Sequence, residues 1–330
     1  MARVGIIGAG AFGSAMACVL RRSGHQVALW AREPELLDAL NLQRVNPLYL
    51  QGVQLERGIA AGGELAAAAA GRDFILMAVP AQHMRETAQR MRACVAAGTP
   101  VVSCAKGIER ESCALMPQVL AEALPQARIA VLSGPSFARE IAAGLPCGVV
   151  LACADIELAR KLSLEIQNPR FCVHPSHDLT GAALGGVMKN AIGIASGIAA
   201  GRKLGENARA TLVTMGLAET LRLGLALGAS RETFYGLSGI GDMMLTASSL
   251  QSRNTAFGVA LGEGRSPGRA LTEGVHSVAP LCVLAERLRV GMPITQALDQ
   301  VLNRGAALDG AVAGLLRQIN YAARAGTSMG

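Results

Sequence analysis

The rhythm of hydrophobic and polar positions changes once along the chain. Up to about residue 177, short and almost wholly apolar runs recur, each stopped by glycine, proline or a polar residue: Arg3–Ile7, Gln26–Trp30, then residues 73–79, 100–104, 129–132, 148–153 and 170–173. Runs of this kind are what strands buried on both faces look like. Between them lie stretches of helical composition, at residues 14–22 and 81–94 and in the alanine run 66–70. Strand and helix in alternation predict an α/β fold with a doubly wound, mostly parallel sheet that binds ligands at its carboxyl edge. Beyond residue 177 the strand signals stop. Helical patterns take over at residues 184–199, 208–227, 242–249, 254–261, 272–289 and 293–303. The expected organisation is a sheet domain at residues 1–180 followed by an all-α domain at residues 181–330, with no internal repeat.

The junction of the first strand and helix carries Gly8-Ala9-Gly10-Ala11-Phe12-Gly13, a G-x-G-x-x-G. In that position the first glycine makes the turn and the second lets a pyrophosphate approach the backbone. The third lets helix and strand pack closely, and the free N–H groups of the helix face the phosphates. The N-terminal domain is therefore expected to be of Rossmann type, with Gly8, Gly10, Ala11, Phe12 and Gly13 lining a dinucleotide. At the tip of the second strand an acidic residue would suit the ribose of NAD, and an arginine the 2′-phosphate of NADP. Arg32 sits nearest that place and Glu33 follows it, so the cofactor is read as NADP(H), with NAD(H) tolerated. The alternative is a solvated Arg32–Glu33 pair opening a helix at Pro34.

Lys106, Gly134, Ser136 and Ala138 all fall just past predicted strand ends, on the ligand edge. The helical half carries a second lysine, Lys189, within the apolar stretch 185–197. On a helix it shares a face with Gly185, Gly186, Gly193 and Ser196, a face with almost no side-chain bulk. Another backbone or a ligand can approach there. A lysine in such surroundings needs a partner or loses its charge, unless it reaches out to water as an ordinary core-helix lysine does. Asp242 follows a glycine turn at a helix start, where it is either a functional carboxylate or an N-cap. Gln251-Ser252-Arg253-Asn254 sets a guanidinium at another helix start, a phosphate site or a surface loop.

Composition narrows the classes. Hydrophobic residues make up 51% of the 330 and the mean hydropathy is +0.35, but no uncharged apolar run reaches the ~18 residues that a membrane helix needs. The nearest, residues 182–200, contains Lys189. The start of the chain turns glycine-rich without the apolar core or cleavage site of a secretory signal. A cytoplasmic protein without membrane insertion is expected. The eight cysteines form no CxxC pair and no cluster with histidine, so they read as reduced core residues, with no metal site. The five histidines stand apart from carboxylates in the sequence and are given no role. The net charge of +7 comes without a basic block, and aromatics are only 3%. Base-stacking platforms are thus poorly supplied; no nucleic-acid partner is expected, and a small anionic ligand accounts for the surplus.

Together, Gly8–Gly13, Cys104-Ala105-Lys106-Gly107, Ser133-Gly134-Pro135-Ser136-Phe137-Ala138-Arg139-Glu140, Gly185-Gly186-Val187-Met188-Lys189-Asn190, Leu237-Ser238-Gly239-Ile240-Gly241-Asp242 and Gln251-Ser252-Arg253-Asn254 resemble the NAD(P)-dependent glycerol-3-phosphate dehydrogenases of bacterial type. The resemblance spans about three quarters of the chain. It implies reduction of dihydroxyacetone phosphate to sn-glycerol 3-phosphate for glycerophospholipid synthesis, by a homodimer joined through the helical domain. Lys189 would be the proton donor and acceptor, with Lys106 and Asp242 beside it. Lys106, Gly134, Ser136, Lys189, Asn190, Asp242, Thr246, Ser252, Arg253 and Asn254 would meet the phosphorylated substrate. Gly8, Gly10, Ala11, Phe12, Gly13, Arg32, Lys106, Ala138, Arg253, Leu271 and Glu273 would meet the cofactor. Ala11 departs from the small hydroxyl residue common in the loop, and the stretch 271–273 matches loosely. Lysine chemistry fits the reaction: desolvation or a second cation lowers an ammonium pKa, whereas Asp242 opposes that, so the sequence leaves the sign open. The competing expectations are another two-domain dehydrogenase of the β-hydroxyacid or 6-phosphogluconate type, and a non-catalytic NAD(P) redox sensor.

Overall fold

The apolar run Arg3–Ile7 is strand β1, with Val4 to Ile7 buried because sheet lies on both sides of it. Residues 1–268 and 272–324 are described by the computed structural model. After β1 come α1 (Ala11–Arg22), β2 (Gln26–Trp30), β3 (Val45–Asn46), β4 (Leu50–Gln54), β5 (Ile59–Gly62), α2 (Leu65–Ala69), β6 (Phe74–Met77) and α3 (Met84–Met91). Then follow β7 (Pro100–Ser103), α4 (Met116–Ala123), β8 (Arg128–Ser133), α5 (Ala138–Ala142), β9 (Cys147–Cys153), α6 (Ile156–Ile166) and β10 (Phe171–Ser176). With residues 106–115 set aside, these elements up to residue 182 form one of two compact units.

Eight strands make one sheet, ordered β10-β9-β8-β7-β6-β1-β2-β5. β1 pairs in parallel with β2 on one side and β6 on the other. The strand order reverses there, which in open α/β sheets is where a ligand crevice opens. The mostly parallel sheet is as expected, with two differences. β9 runs antiparallel to β8, and β10 is parallel to β9. Between β8 and β9 lies only the short helix α5, whose Ile141 and Ala142 carbonyls accept from Arg22 of α1 at 3.0 and 2.5 Å. The chain thus re-enters the sheet without a full crossover. The second difference is β5 together with the β3–β4 ribbon, which the sequence pattern does not signal because Ile59-Ala60-Ala61-Gly62 carries little apolar bulk. Cys172, expected in the core, is exposed. β10 is an edge strand that buries Phe171 and Val173 and turns Cys172 outward.

The second unit comprises residues 106–115 and those from 183 onward. It is helical: α7 (Leu179–Gly201), α8 (Glu206–Ala226), α9 (Arg231–Phe234), α10 (Asp242–Ser248), α11 (Arg253–Gly262), α12 (Glu273–Arg287), α13 (Pro293–Arg304) and α14 (Leu308–Arg324). Residues 106–115 form a loop closed by a bridge between Ile108 and Leu115, and Arg287 of α12 donates to its Ser112 carbonyl at 3.4 Å. Among the described residues α7 is the one helix long and apolar enough to cross a membrane, and 94% of that stretch is buried inside the protein. Its glycines explain the burial. A side chain at Gly185 would strike the Ser238 carbonyl, one at Gly193 the Thr246 methyl at 2.8 Å, and one at Gly197 the backbone of α11 at Thr255 and Gly258. The bare face of α7 is therefore filled by α11 and by the chain leading into and along α10.

Candidate active site

In the sheet unit the glycine loop does three different things. Gly8 has φ +115°, and a Cβ there would lie 2.8 Å from the Ala78 carbonyl oxygen beyond β6. Only glycine tolerates that turn. A Cβ on Gly13 would run into the Gly8 carbonyl, so α1 and β1 meet backbone to backbone. At Gly10 a Cβ would meet nothing within 4 Å. That is the open side, at the start of a helix with no acidic residue in its first turn. These residues fit a dinucleotide pyrophosphate. Ala11 and Phe12 open α1 and are partly buried against the core. Behind the loop, buried Asn46 donates to the Ala9 carbonyl at 2.8 Å and to Ser14 Oγ at 2.9 Å. The sequence reading missed this brace, since nothing local marks one asparagine in a two-residue strand.

Arg32 lies past the end of β2. Its Nε and Nη2 donate to Glu33 Oε1 at 3.1 and 2.8 Å, and Tyr49 also donates to that oxygen, at 3.1 Å. Arg32 is thus the exposed half of an ion pair that precedes the turn at Pro34. The Glu33 contact pushes its pKa above the ordinary arginine value. Further along the same edge, Gly134 has φ +141°, and a Cβ there would press on Val149. Ser136 Oγ donates to the Gly134 carbonyl at 2.7 Å, and Ala138 begins α5.

In the helical unit three charged groups converge. Asp242, the first residue of α10, is 1% exposed. One of its oxygens lies 2.6 Å from Lys106 Nζ and the other 3.2 Å from Lys189 Nζ. The aspartate reading as a mere helix cap gives way to a carboxylate shared by two ammoniums. The Lys189 pKa falls below the ordinary lysine value. Burial is the chief cause, the neighbouring Lys106 charge adds to it, and Asp242 and then Glu273 oppose it. The sign that the sequence left open is downward. Glu273 is the first residue of α12; Leu271 lies outside the described residues. One turn past Asp242, Thr246 Oγ1 is buried and has no hydrogen-bond partner among the described residues, as is true of Ser238 Oγ.

The Gln-Ser-Arg-Asn segment opens α11. Ser252 caps it, its Oγ accepting from the Thr255 N–H at 3.3 Å. Arg253 is exposed and Asn254 buried. Asn254 Nδ2 donates to Asn190 Oδ1 at 2.8 Å, and Asn190 Nδ2 donates to the Lys106 carbonyl at 2.8 Å. The unit thus draws Lys106, Lys189, Asn190, Asp242 and Asn254 into one connected polar group.

Comparison with known proteins bears directly on this arrangement. Residues 3–159 match the model of the NAD-dependent glycerol-3-phosphate dehydrogenase N-terminus, and residues 178–313 that of its C-terminus. The chain belongs to the NAD-dependent glycerol-3-phosphate dehydrogenase family. It is 47% identical to glycerol-3-phosphate dehydrogenase [NAD(P)+] of Parvibaculum lavamentivorans and 48% to that of Caulobacter vibrioides, in both cases over 95% of this chain and 96% of the relative. The crystal structure of glycerol-3-phosphate dehydrogenase from Coxiella burnetii superposes with a TM-score of 0.90 at 37% identity, covering 96% of this chain and 98% of that one. As a member of the glycerol-3-phosphate dehydrogenase family, the protein is an oxidoreductase whose cofactor is NAD or NADP and whose substrate is a small molecule.

Two buried groups in this glycerol-3-phosphate dehydrogenase family member escaped the sequence reading. His25, given no role and read as apart from carboxylates, is 3% exposed and accepts the Ala2 N–H on Nδ1 at 3.0 Å. Its Nε2 therefore carries the hydrogen and faces the Glu165 carbonyl at 2.6 Å, with the Glu165 carboxylate 3.8 Å away. Glu219 of α8 accepts from the Ile294 N–H at 2.5 Å and from the Thr295 hydroxyl at 2.8 Å at the start of α13. Burial raises its pKa to about 7.

Proposed function

We infer that the protein interconverts dihydroxyacetone phosphate and sn-glycerol 3-phosphate, with Lys189 exchanging the proton at the C2 oxygen. The observation that carries this reading is the meeting of two ammoniums on the one buried carboxylate of Asp242, in a chain that matches the dehydrogenase family along nearly its whole length. Bound to the glycine-loop unit, the reduced nicotinamide supplies a hydride to the carbonyl carbon. Negative charge then grows on the carbonyl oxygen. Positive charge held in place beforehand stabilises it, because no water has to reorient during the step.

Lys189 is the source of that charge and of the proton. Desolvation makes its ammonium a better acid than a free lysine, which brings it closer to the pH at which it must both donate and accept. Lys106 adds a second positive charge, and Asp242 fixes the two nitrogens without neutralising both. The dianionic phosphate of the substrate is held by Arg253 at the start of α11, where the guanidinium and the helix dipole act together. Binding energy at that end orients the carbonyl at the other.

The family likeness supports the remaining assignments: Gly134, Ser136, Asn190, Thr246, Ser252 and Asn254 for the substrate, and Gly8, Gly10, Ala11, Phe12, Gly13, Arg32, Ala138, Leu271 and Glu273 for the cofactor. The same reading makes the enzyme a cytoplasmic homodimer that supplies glycerophospholipid synthesis. The direct test is steady-state oxidation of NADPH and of NADH with dihydroxyacetone phosphate, set against oxidation of a 3-hydroxyacid. Turnover with the phosphorylated ketone supports the proposal; turnover with the hydroxyacid alone overturns it.

A further inference from the structure

The peptide between Ala9 and Gly10, in the middle of the glycine loop, is held from behind by one side chain. Asn46 Nδ2 donates to the Ala9 carbonyl at 2.8 Å and to Ser14 Oγ at 2.9 Å, and Asn46 Oδ1 accepts the Tyr49 N–H at 2.9 Å. The backbone partners fix which way the amide lies. The Tyr49 N–H can only donate, so the oxygen faces it, and the NH2 is left to face the Ala9 carbonyl, which can only accept. Asn46 is fully buried and Ala9 is 4% exposed, so no water stands ready to replace the amide as donor. Ser14 Oγ also donates to the Ala9 carbonyl, but at 3.5 Å, where a hydrogen bond is weak. Asn46 comes from β3, which pairs with β4 and not with the eight-stranded sheet. A register shift between Val45 and Asn46 marks a bulge, which re-aims a side chain.

A trans peptide is planar, and its C=O and N–H point to opposite sides. With the Ala9 carbonyl drawn inward, the Gly10 N–H is turned outward, just ahead of the first N–H groups of α1. We propose that Asn46 is a positioning residue for the cofactor pyrophosphate: by holding the Ala9 carbonyl it aims the Gly10 N–H at the phosphates and keeps the loop from presenting an oxygen to them. Gly10 is where such a hold is needed. Gly8 abuts the Ala78 carbonyl and Gly13 the Gly8 carbonyl, so close contact keeps those two in place, whereas a Cβ on Gly10 would meet nothing within 4 Å. Glycine also has the freest backbone of any residue. Without the amide behind it, the peptide can rotate and set its carbonyl dipole against the anion.

The inference rests on the placement of the cofactor at the glycine loop proposed above, and the two fail differently. If wild type binds neither NADPH nor NADH, or if Gly10→Ala binds both as tightly as wild type, it is that placement that fails. Given the placement, Asn46→Ala is titrated with NADPH, NADH and adenosine 2′-monophosphate, well below its melting temperature. Both dinucleotides should bind more weakly by the same factor, on the order of 10- to 100-fold, as when a charge-assisted hydrogen bond is lost. Adenosine 2′-monophosphate, which has no pyrophosphate, should bind as it does to wild type. Wild-type affinity for both dinucleotides would overturn the proposal. So would a loss confined to NADPH, which would route the effect through Tyr49 and Glu33 to Arg32, or an equal loss for adenosine 2′-monophosphate, which would mark a general loosening. Should Asn46→Ala not fold, the wild-type chain carries the test. With glycine-selective isotope labelling, the Gly10 amide proton should move downfield in the NMR spectrum when NADH binds, as an N–H taken up by an anion does. A Gly10 amide that NADH leaves unshifted would count against the proposal.

Discussion

Lys189 Nζ lies 3.2 Å from an Asp242 oxygen, yet its pKa is lowered, because burial and the charge of Lys106 outweigh the carboxylate. The balance yields a prediction with a definite sign. Lys106→Met removes one of the two causes that lower the pKa and leaves Asp242 to Lys189 alone, so the Lys189 pKa rises. Reduction needs the protonated lysine, and its rate falls as pH climbs through that pKa. The basic limb of kcat for dihydroxyacetone phosphate reduction should therefore move to higher pH in Lys106→Met, with a lower plateau. A limb at unchanged pH would separate Lys106 from Lys189.

The glycine loop predicts opposite outcomes for two neighbouring substitutions. Gly13→Ala pushes a methyl into the Gly8 carbonyl and should cost about 1–3 kcal/mol of stability, as overpacking does. Gly10→Ala meets open space, so the protein should melt as wild type does while binding NADPH on the order of tenfold more weakly, about 1.4 kcal/mol. Thermal melts and NADPH titration check both.

Glu219 should make stability depend on pH. Its folded pKa of about 7 lies above the ordinary value, so the protonated carboxyl is the form that folding favours. The stability it contributes is complete below the unfolded pKa near 4.5 and is lost as pH rises to about 7. The size is of order 3 kcal/mol from the two pKa values. Glu219→Gln should flatten that part of the stability curve in denaturant titrations from pH 5 to 8. An unchanged slope would contradict the assignment.

Much of this was legible in the residues themselves. The strands of the sheet centre announce themselves because both faces are buried, and the helices of the second unit because their apolar spacing is regular. The β5 edge and the direction of β9 were not legible. β5 is small-sided, and an apolar run such as that of β9 carries no mark of its direction, which is antiparallel to β8. The candidate site divides the same way. Lys189, Lys106 and Asp242 stand out locally as charges among apolar residues and glycines. Their convergence, the line from Asn254 to Lys106 and the brace from Asn46 are long-range contacts that no local pattern encodes. Even the bare face of α7 was readable only as two possibilities, and packing by α11 selected the backbone contact.

Arg253 predicts a split between kinetic parameters. Its side chain is exposed at the start of α11, so Arg253→Met should leave the fold intact. Losing a charge-assisted contact to the phosphate should raise KM for dihydroxyacetone phosphate on the order of 10- to 100-fold, with KM for dihydroxyacetone unchanged. Equal effects on both substrates would place the phosphate elsewhere.

The most direct measurement pairs single-turnover reduction of dihydroxyacetone phosphate with an NADPH binding titration, in wild type and in Lys189→Ala. With Lys189 as the proton donor, the reduction rate should fall by on the order of 10²–10⁴-fold while the NADPH dissociation constant stays the same. A rate within a few-fold of wild type would show that the proton comes from another group.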